Sequence, residues 1–582
     1  MRRIAAVIAV AGLALSAPAA RADVMPFGKL VCTPQGGVRW CPGSIATRVP
    51  SFDGVPLDVN VALPGASSAG LPLVILSHGW GGSKVGFAQM QPWAARGYAV
   101  LAISARGFGD SCGSLQSRAA DPLGCAQGWV RLDDTRYEIR DVQYLAGLLA
   151  DEGIADPRRI AAQGGSYGGG VSLALAALKD RVMLPDGTLA PWTSPGGKPM
   201  RIAAAAPLIP WSDLVYALVP NGRERDDRVA GDGASFAPAG VEKLSFVSGL
   251  FALGAAGGYY APPGVDPQAD LATWYARIGA GEPYDGDPEI AAIQQEISAH
   301  HSAYAIDHSE PPAPTLIANG WSDDLFPPDE AIRFYNRTKA QYPSAPVALM
   351  FLDVGHQRAA NKAADEQRYQ QRVFDWFDHY VKGAAVAPLH GVEAIPFTCD
   401  GSTAPPLDAP SWRAEHPGAV GFVSAPPQSF TSAGGDPTVA AAIDPIGAGN
   451  DPCVQTSAAD EANAATYRLP AATGSGYTLL GAPTVTADVA VTGTFPEIAE
   501  RLWDVAPDGT QTLLARGVIR PDASGRQTFQ LHPSGWHFAA GHIPKLELLG
   551  RDPGYLRPSN GAFTIQVTNV RVALPTLDRR PG

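Results

Sequence analysis

Charged side chains are scarce in this chain: only 17% of its 582 residues are Asp, Glu, Lys or Arg, and no long basic run occurs. The formal net charge is −12. An acidic chain without basic clusters is a poor partner for nucleic acid or for an anionic membrane surface. Long apolar runs are also missing beyond the first twenty or so residues, so no membrane span is expected in the mature chain. There are only six cysteines, and none has zinc-ligand spacing with histidines nearby. No metal site is therefore expected. Internal repeats and low-complexity tracts are absent, which excludes a solenoid and a largely disordered chain. The 46% of hydrophobic residues is a globular composition, and the length exceeds one ordinary core, so two or three domains are expected.

The amino terminus reads as an export signal. Arg2 and Arg3 form a positive start, residues 4–15 are apolar but short, and Ala20 and Ala22 are small residues suited to signal peptidase. Residues 1–22 are expected to be removed, which places the mature protein outside the cytoplasm, secreted or periplasmic. Cysteines in an exported chain suggest disulfides. Sequence alone leaves their connectivity open, but proximity favours Cys32 with Cys41, Cys112 with Cys125, and Cys399 with Cys453.

Residues 71–382 alternate short apolar runs with helical stretches. The runs are 73–76, 99–103, 159–163, 202–206, 314–319 and 347–352, and helical patterns fall at 87–96, 135–152 and 171–178. Strand, helix and strand in succession predict a mostly parallel sheet covered on both faces. Residues 215–313 interrupt the rhythm with helical pieces at 241–256, 270–278 and 288–305, as a cap inserted before a sheet strand would. The apolar stretch 244–256 reads first as the cap's own core, and alternatively as the wall of a substrate pocket. Residues 384–412, rich in Pro and Ala, look like a junction. The rest alternates with period two, as in Val485, Ala487, Val489 and Val491, and predicts a β-sandwich or jelly roll. The expected domains are an α/β part at 23–385, with the cap at about 215–313, and a jelly roll at 386–582.

The strongest local signal is Gly164-Gly165-Ser166-Tyr167-Gly168, set between a strand-like run and an apolar helix. That is the context of a nucleophile elbow, in which small residues two before and two after the serine let strand and helix approach. A serine hydroxyl needs a base, and in this fold acid and histidine follow it in chain order. Asp323, in Gly320-Trp321-Ser322-Asp323-Asp324, and His356, in Val354-Gly355-His356, each follow a predicted strand. Asp324 competes with Asp323 for the acid. Two backbone N–H groups are candidates for an oxyanion hole: that of Tyr167, after the nucleophile, and that of Trp80, after the early strand. His78 reads as structural, and the cap carboxylates Glu224, Asp226 and Asp227 read first as solvated charges, and alternatively as the groups that would hold the N-terminal ammonium of a peptide substrate.

These residues together resemble the family of X-prolyl dipeptidyl-peptidases, cocaine esterase and related acyl hydrolases. The resemblance rests on Gly164 to Gly169, Trp321-Ser322-Asp323, Gly355-His356, the stretch from Phe374 to Gly383, and Leu502-Trp503-Asp504 with Gly541-His542. It implies an α/β-hydrolase domain with a helical cap followed by an all-β jelly roll. It also implies cleavage of a peptide or ester bond through an acyl-enzyme, without a cofactor. Trp80 stands where many relatives carry a tyrosine, so the expected second oxyanion donor is its backbone rather than a side-chain hydroxyl. An X-prolyl peptidase is the first reading, a carboxylesterase the alternative, and in either case the partner is a small peptide or ester. The complete Ser, Asp and His set argues against a surface binding protein with a dead hydrolase domain.

Overall fold

The computed structural model describes residues 24–65, 69–229, 239–449, 451–521 and 523–578. The expected signal segment lies outside the described residues. No helix among them is long and apolar enough to cross a membrane.

The central sheet has eleven strands, and the serine strand Ala155–Gly165 lies in its middle. On one side follow Leu71–Ser77, Ala99–Ile103, Val59–Pro64, Val38–Pro42 and Thr33–Gln35. On the other follow Ile202–Leu208, Thr315–Gly320, Val347–Leu352, Val392–Ala394 and Leu407–Ala409. Pairing is parallel from Ala99–Ile103 across to Val392–Ala394 and antiparallel at both edges. Parallel strands are covered on both faces and so read as unbroken apolar runs. Within Leu71–Ser77, Leu73 and Ile75 join one core while Val74 and Leu76 join the core on the opposite face. The last two strands lie within the expected junction and beyond the expected boundary at 385. They add to the edge of the central sheet.

The cap departs after Ile202–Leu208 and returns at Thr315–Gly320. Its helices are Leu214–Leu218, Leu244–Gly257, Leu271–Ala280 and Pro288–His300. The last begins where the Asp287 carboxylate accepts from the backbone N–H groups of Glu289 and Ile290. It stops at His300, short of the expected 305, and a single 3-10 turn, Ala303–Ala305, follows.

The carboxyl-terminal part is a sandwich of a seven-stranded and a five-stranded antiparallel sheet. Val485, Ala487 and Val489 of the strand Thr484–Gly493 are buried in alternation with partly exposed neighbours, as period two requires. Val491, near the strand's end, is only half-buried. The three cysteine pairs favoured by proximity are bonded, and Cys399–Cys453 ties the junction to the sandwich.

Candidate active site

Ser166 sits between the strand that ends at Gly165 and the helix Tyr167–Leu178. Its φ is 56° and ψ −116°, a backbone conformation that a side chain rarely adopts, and its N–H is tied to the Leu208 carbonyl at 3.0 Å. The flanking glycines are obligatory. A Cβ on Gly164 would stand 2.5 Å from the Gly168 carbonyl oxygen, and one on Gly168 2.4 Å from that of Ser77. Strand and helix therefore close on each other and push the serine side chain out of the turn.

Ser166 Oγ lies 2.7 Å from His356 Nε2, and His356 Nδ1 lies 2.8 Å from Asp323 Oδ2. With Nδ1–H donating to the carboxylate, Nε2 keeps a lone pair turned toward the serine hydroxyl, the geometry a general base requires. Asp323 is itself fixed: its other oxygen accepts from the backbone N–H of Leu325 at 3.0 Å and of Phe326 at 3.1 Å. The sequence competitor Asp324 points elsewhere. Its carboxylate pairs with Arg358 at 2.6 Å and with Arg516 of the jelly roll at 3.4 Å. Against burial, which would raise it, these two guanidiniums hold its carboxyl below the usual range. The jelly roll also grips this loop through Tyr555, whose hydroxyl donates to the Asp324 carbonyl at 3.1 Å. It holds the histidine loop through Arg358, which donates to the Leu513 carbonyl at 3.2 Å.

Tyr167 is the first helical residue, so its N–H has no acceptor within the helix. Trp80 follows the strand Leu71–Ser77. Its loop runs beside the elbow, where a Cβ on Gly79 would lie 4.0 Å from the Gly165 oxygen. The Trp80 indole donates to the Leu250 carbonyl of the cap at 2.7 Å, and its ring packs edge-on to Tyr167 at 5.1 Å. His78 is locked away from the chemistry. Its Nδ1 faces the Gly79 carbonyl at 2.7 Å, its Nε2 accepts from Ala105 N–H at 2.9 Å, and burial lowers its pKa.

Three neighbours of the site gave no signal in the sequence. The Tyr167 hydroxyl donates to Glu138, whose carboxyl is pushed up to about 7 by burial. Asp133, whose N–H donates to the same hydroxyl at 2.8 Å, is raised well above the ordinary range by burial and then by Glu138. Lys243, just before the cap helix Leu244–Gly257, donates to the Leu325 carbonyl at 2.9 Å, and burial brings its pKa down to about 8. It pins the cap to the acid loop.

A cavity of about 780 Å³, measured to its open mouth, lies over Ser166. Trp80, Trp211, Phe326 and the cap's Val247, Leu250 and Phe251 are among its walls. The stretch 244–256 is thus a pocket wall rather than the cap's core, since only Phe246 and Gly254 of that helix are buried. Phe246 turns the other way and packs against Tyr555 of the jelly roll, 6.3 Å between ring centres. The cap carboxylates also depart from expectation. Glu224 pairs with Arg333, and Asp226 accepts from Gln530 at 2.8 Å and Trp412 at 3.0 Å, so neither is a solvated charge. Asp227 is exposed and pairs with Arg225 at 2.9 Å. Among the described residues one group, Asp134, Glu296 and His301, has the spacing to hold a metal ion. Arg136 already bridges its two carboxylates and supplies the positive charge.

The family model of the X-Pro dipeptidyl-peptidases (S15 family) matches residues 53–358, more than half of the chain. The chain belongs to this family. As an S15 member it is a serine hydrolase. The S15 match spans the elbow, the whole of the cap, the acid loop and His356, and ends at Arg358. Solved structures share the fold over nearly the whole length. An aminopeptidase from the marine sediment archaeon Thaumarchaeota archaeon is 13% identical with a TM-score of 0.60, covering 93% of this chain and 98% of the other. An α-amino acid ester hydrolase is 15% identical with a TM-score of 0.58, covering 96% and 100%. A CocE/NonD family hydrolase from Staphylococcus aureus is 13% identical with a TM-score of 0.56, covering 94% and 99%. At such identities the likeness speaks for the fold: an α/β-hydrolase sheet with a cap, followed by an all-β sandwich.

Proposed function

We propose that this S15 hydrolase cleaves acyl substrates through a covalent intermediate on Ser166, with His356 as general base and Asp323 as the residue that orients it. The observation that carries this reading is the unbroken chain from Ser166 Oγ to His356 Nε2 at 2.7 Å and from His356 Nδ1 to Asp323 at 2.8 Å. His356 takes the serine proton as Oγ attacks the carbonyl, and later gives it to the leaving group. The N–H groups of Tyr167 and Trp80 receive the developing oxyanion. Deacylation repeats the steps with water as nucleophile.

An X-prolyl peptide and a carboxylic ester both suit this chemistry, since the two bonds share the acyl-enzyme route. The cavity favours the ester. A dipeptidyl substrate brings an ammonium group, and no carboxylate is among the cavity walls of the described residues. The proposal divides the chain into an export signal at 1–22, a hydrolase part with its cap that runs through the edge strand Leu407–Ala409 rather than ending at 385, and a jelly roll after it. Three disulfides support an oxidising destination outside the cytoplasm. The test is labelling by a fluorophosphonate together with turnover of p-nitrophenyl acetate. Both are expected in the native chain, and Ser166→Ala should lose the label and about 10⁶-fold in kcat. Full turnover by a pure Ser166→Ala sample would move the nucleophile elsewhere.

A further inference from the structure

Beside the cavity over Ser166, and lined largely by the cap, lies a second space of about 530 Å³ measured to its open mouth. Leu218, Val247, Ile278 and Ile297 wall both spaces, so they form an apolar partition between two adjoining rooms. The far room ends against Val219, Ile290 and Ile293. No Asp, Glu, Lys or Arg lines either space among the described residues. The tyrosine hydroxyls of the walls are already engaged. That of Tyr260 donates to the Phe251 carbonyl at 2.8 Å, that of Tyr275 to Ser248 at 3.2 Å, and that of Tyr167 to Glu138. A charged group entering here would lose its water and find no counter-charge. A hydrocarbon chain would gain from every methylene that left water. The apolar walls reach well beyond what a small acyl group would touch, and the partition combines these aliphatic side chains with the ring of Tyr275, which also lines both spaces.

We propose that the natural acyl group is a long, uncharged aliphatic chain whose carbonyl lies at Ser166 and whose tail passes Leu218, Val247 and Ile278 into the second chamber. This rests on the serine hydrolase reading above. Oγ forms a bond to the acyl carbon, the ester C–O bond breaks, and the alcohol leaves with the proton held by His356. Water then releases the fatty acid and restores the serine hydroxyl. The leaving alcohol departs through the open mouth, so the alcohol side is loosely selected.

The test uses the full chain and p-nitrophenyl esters from acetate to dodecanoate. Selectivity kcat/KM should rise about fourfold for each methylene buried, reaching on the order of 4,000-fold between acetate and octanoate if all six added methylenes leave water. A second pair isolates charge. The p-nitrophenyl ester of 3-phenylpropionate should exceed that of phenylalanine, which differs only by an ammonium group, by more than about tenfold. Filling the far room with Ile293→Trp, or with Ile290→Phe should the first variant fold poorly, should lower the octanoate-to-acetate ratio at least about tenfold. Flat or falling selectivity with chain length, or preference for the ammonium-bearing ester or for Gly-Pro-p-nitroanilide, overturns the proposal while leaving the serine hydrolase reading intact. Failure to cleave any of these substrates, with no fluorophosphonate label, overturns that reading instead.

Discussion

Asp323 and Asp324 are chemically identical neighbours that the fold sends to different partners. One carboxylate meets an imidazole, the other two guanidiniums. Their substitutions should therefore fail in different ways. Asp323→Asn should cost about 10⁴-fold in kcat, because the amide favours the wrong histidine tautomer, while thermal stability changes little. Asp324→Asn leaves Arg358 and Arg516 buried and short of charge, and should destabilise by about 3–5 kcal/mol. Steady-state kinetics beside thermal melts of both variants separate the two, and the reverse pattern would exchange their roles. At this scale the sequence was readable where function depends on short-range geometry. Gly164 and Gly168 announce the elbow because contact two residues either side of Ser166 excludes any larger side chain. It was unreadable where the partner is far along the chain. Glu224 and Asp226 looked like surface charges because Arg333, Trp412 and Gln530, which remove them from water, lie more than a hundred residues away.

The cap helix Leu244–Gly257 shows a different limit of legibility. Its position and extent follow from an apolar run of helical length, but a helix apolar on most sides does not say which side faces protein and which faces a cavity. Phe246 and Phe251, five residues apart, lie on opposite errands. The first is buried against Tyr555, and the second lines the cavity and stacks on Tyr275 with ring centres 4.2 Å apart. Phe246→Ala should cost about 3–5 kcal/mol of stability. Phe251→Ala should cost less stability but lower kcat/KM for bulky esters more than for p-nitrophenyl acetate, which makes few contacts away from the reacting carbonyl. Chemical denaturation and a two-substrate kinetic comparison check both, and equal losses on the two esters by Phe251→Ala would reduce the helix to a structural support. The junction at 384–412 was readable only as a change of composition. That its short strands extend the central sheet depends on a register with Val347–Leu352 that three-residue segments do not encode.

Across the whole molecule, buried carboxyl groups set the response to pH. Burial lifts Glu138, Asp213, Glu242 and Glu415 to about 7 and Asp226 to about 6. The folded chain therefore holds protons that the unfolded chain releases from about pH 4 upward, and stability falls as pH rises through these folded values. A second set works in the opposite sense. Against burial, Asp324, Asp552 and Glu393 are held low by arginines, and their stabilisation is lost as pH falls below the ordinary carboxyl range. The melting temperature should peak at about pH 5 and decline toward pH 7.5, as a calorimetric series will show, and a steady rise to pH 7.5 would contradict the assignment. The jelly roll's grip on the loops of Asp323 and His356 bears on how such a molecule can change over time. Asp324, Arg358, Arg516 and Tyr555 form one buried cluster shared by both halves, directly behind the acid and the histidine. A change that exchanges or shortens either half removes partners of the other, which ties the inheritance of the two together and makes the β-sandwich part of the enzyme's working frame.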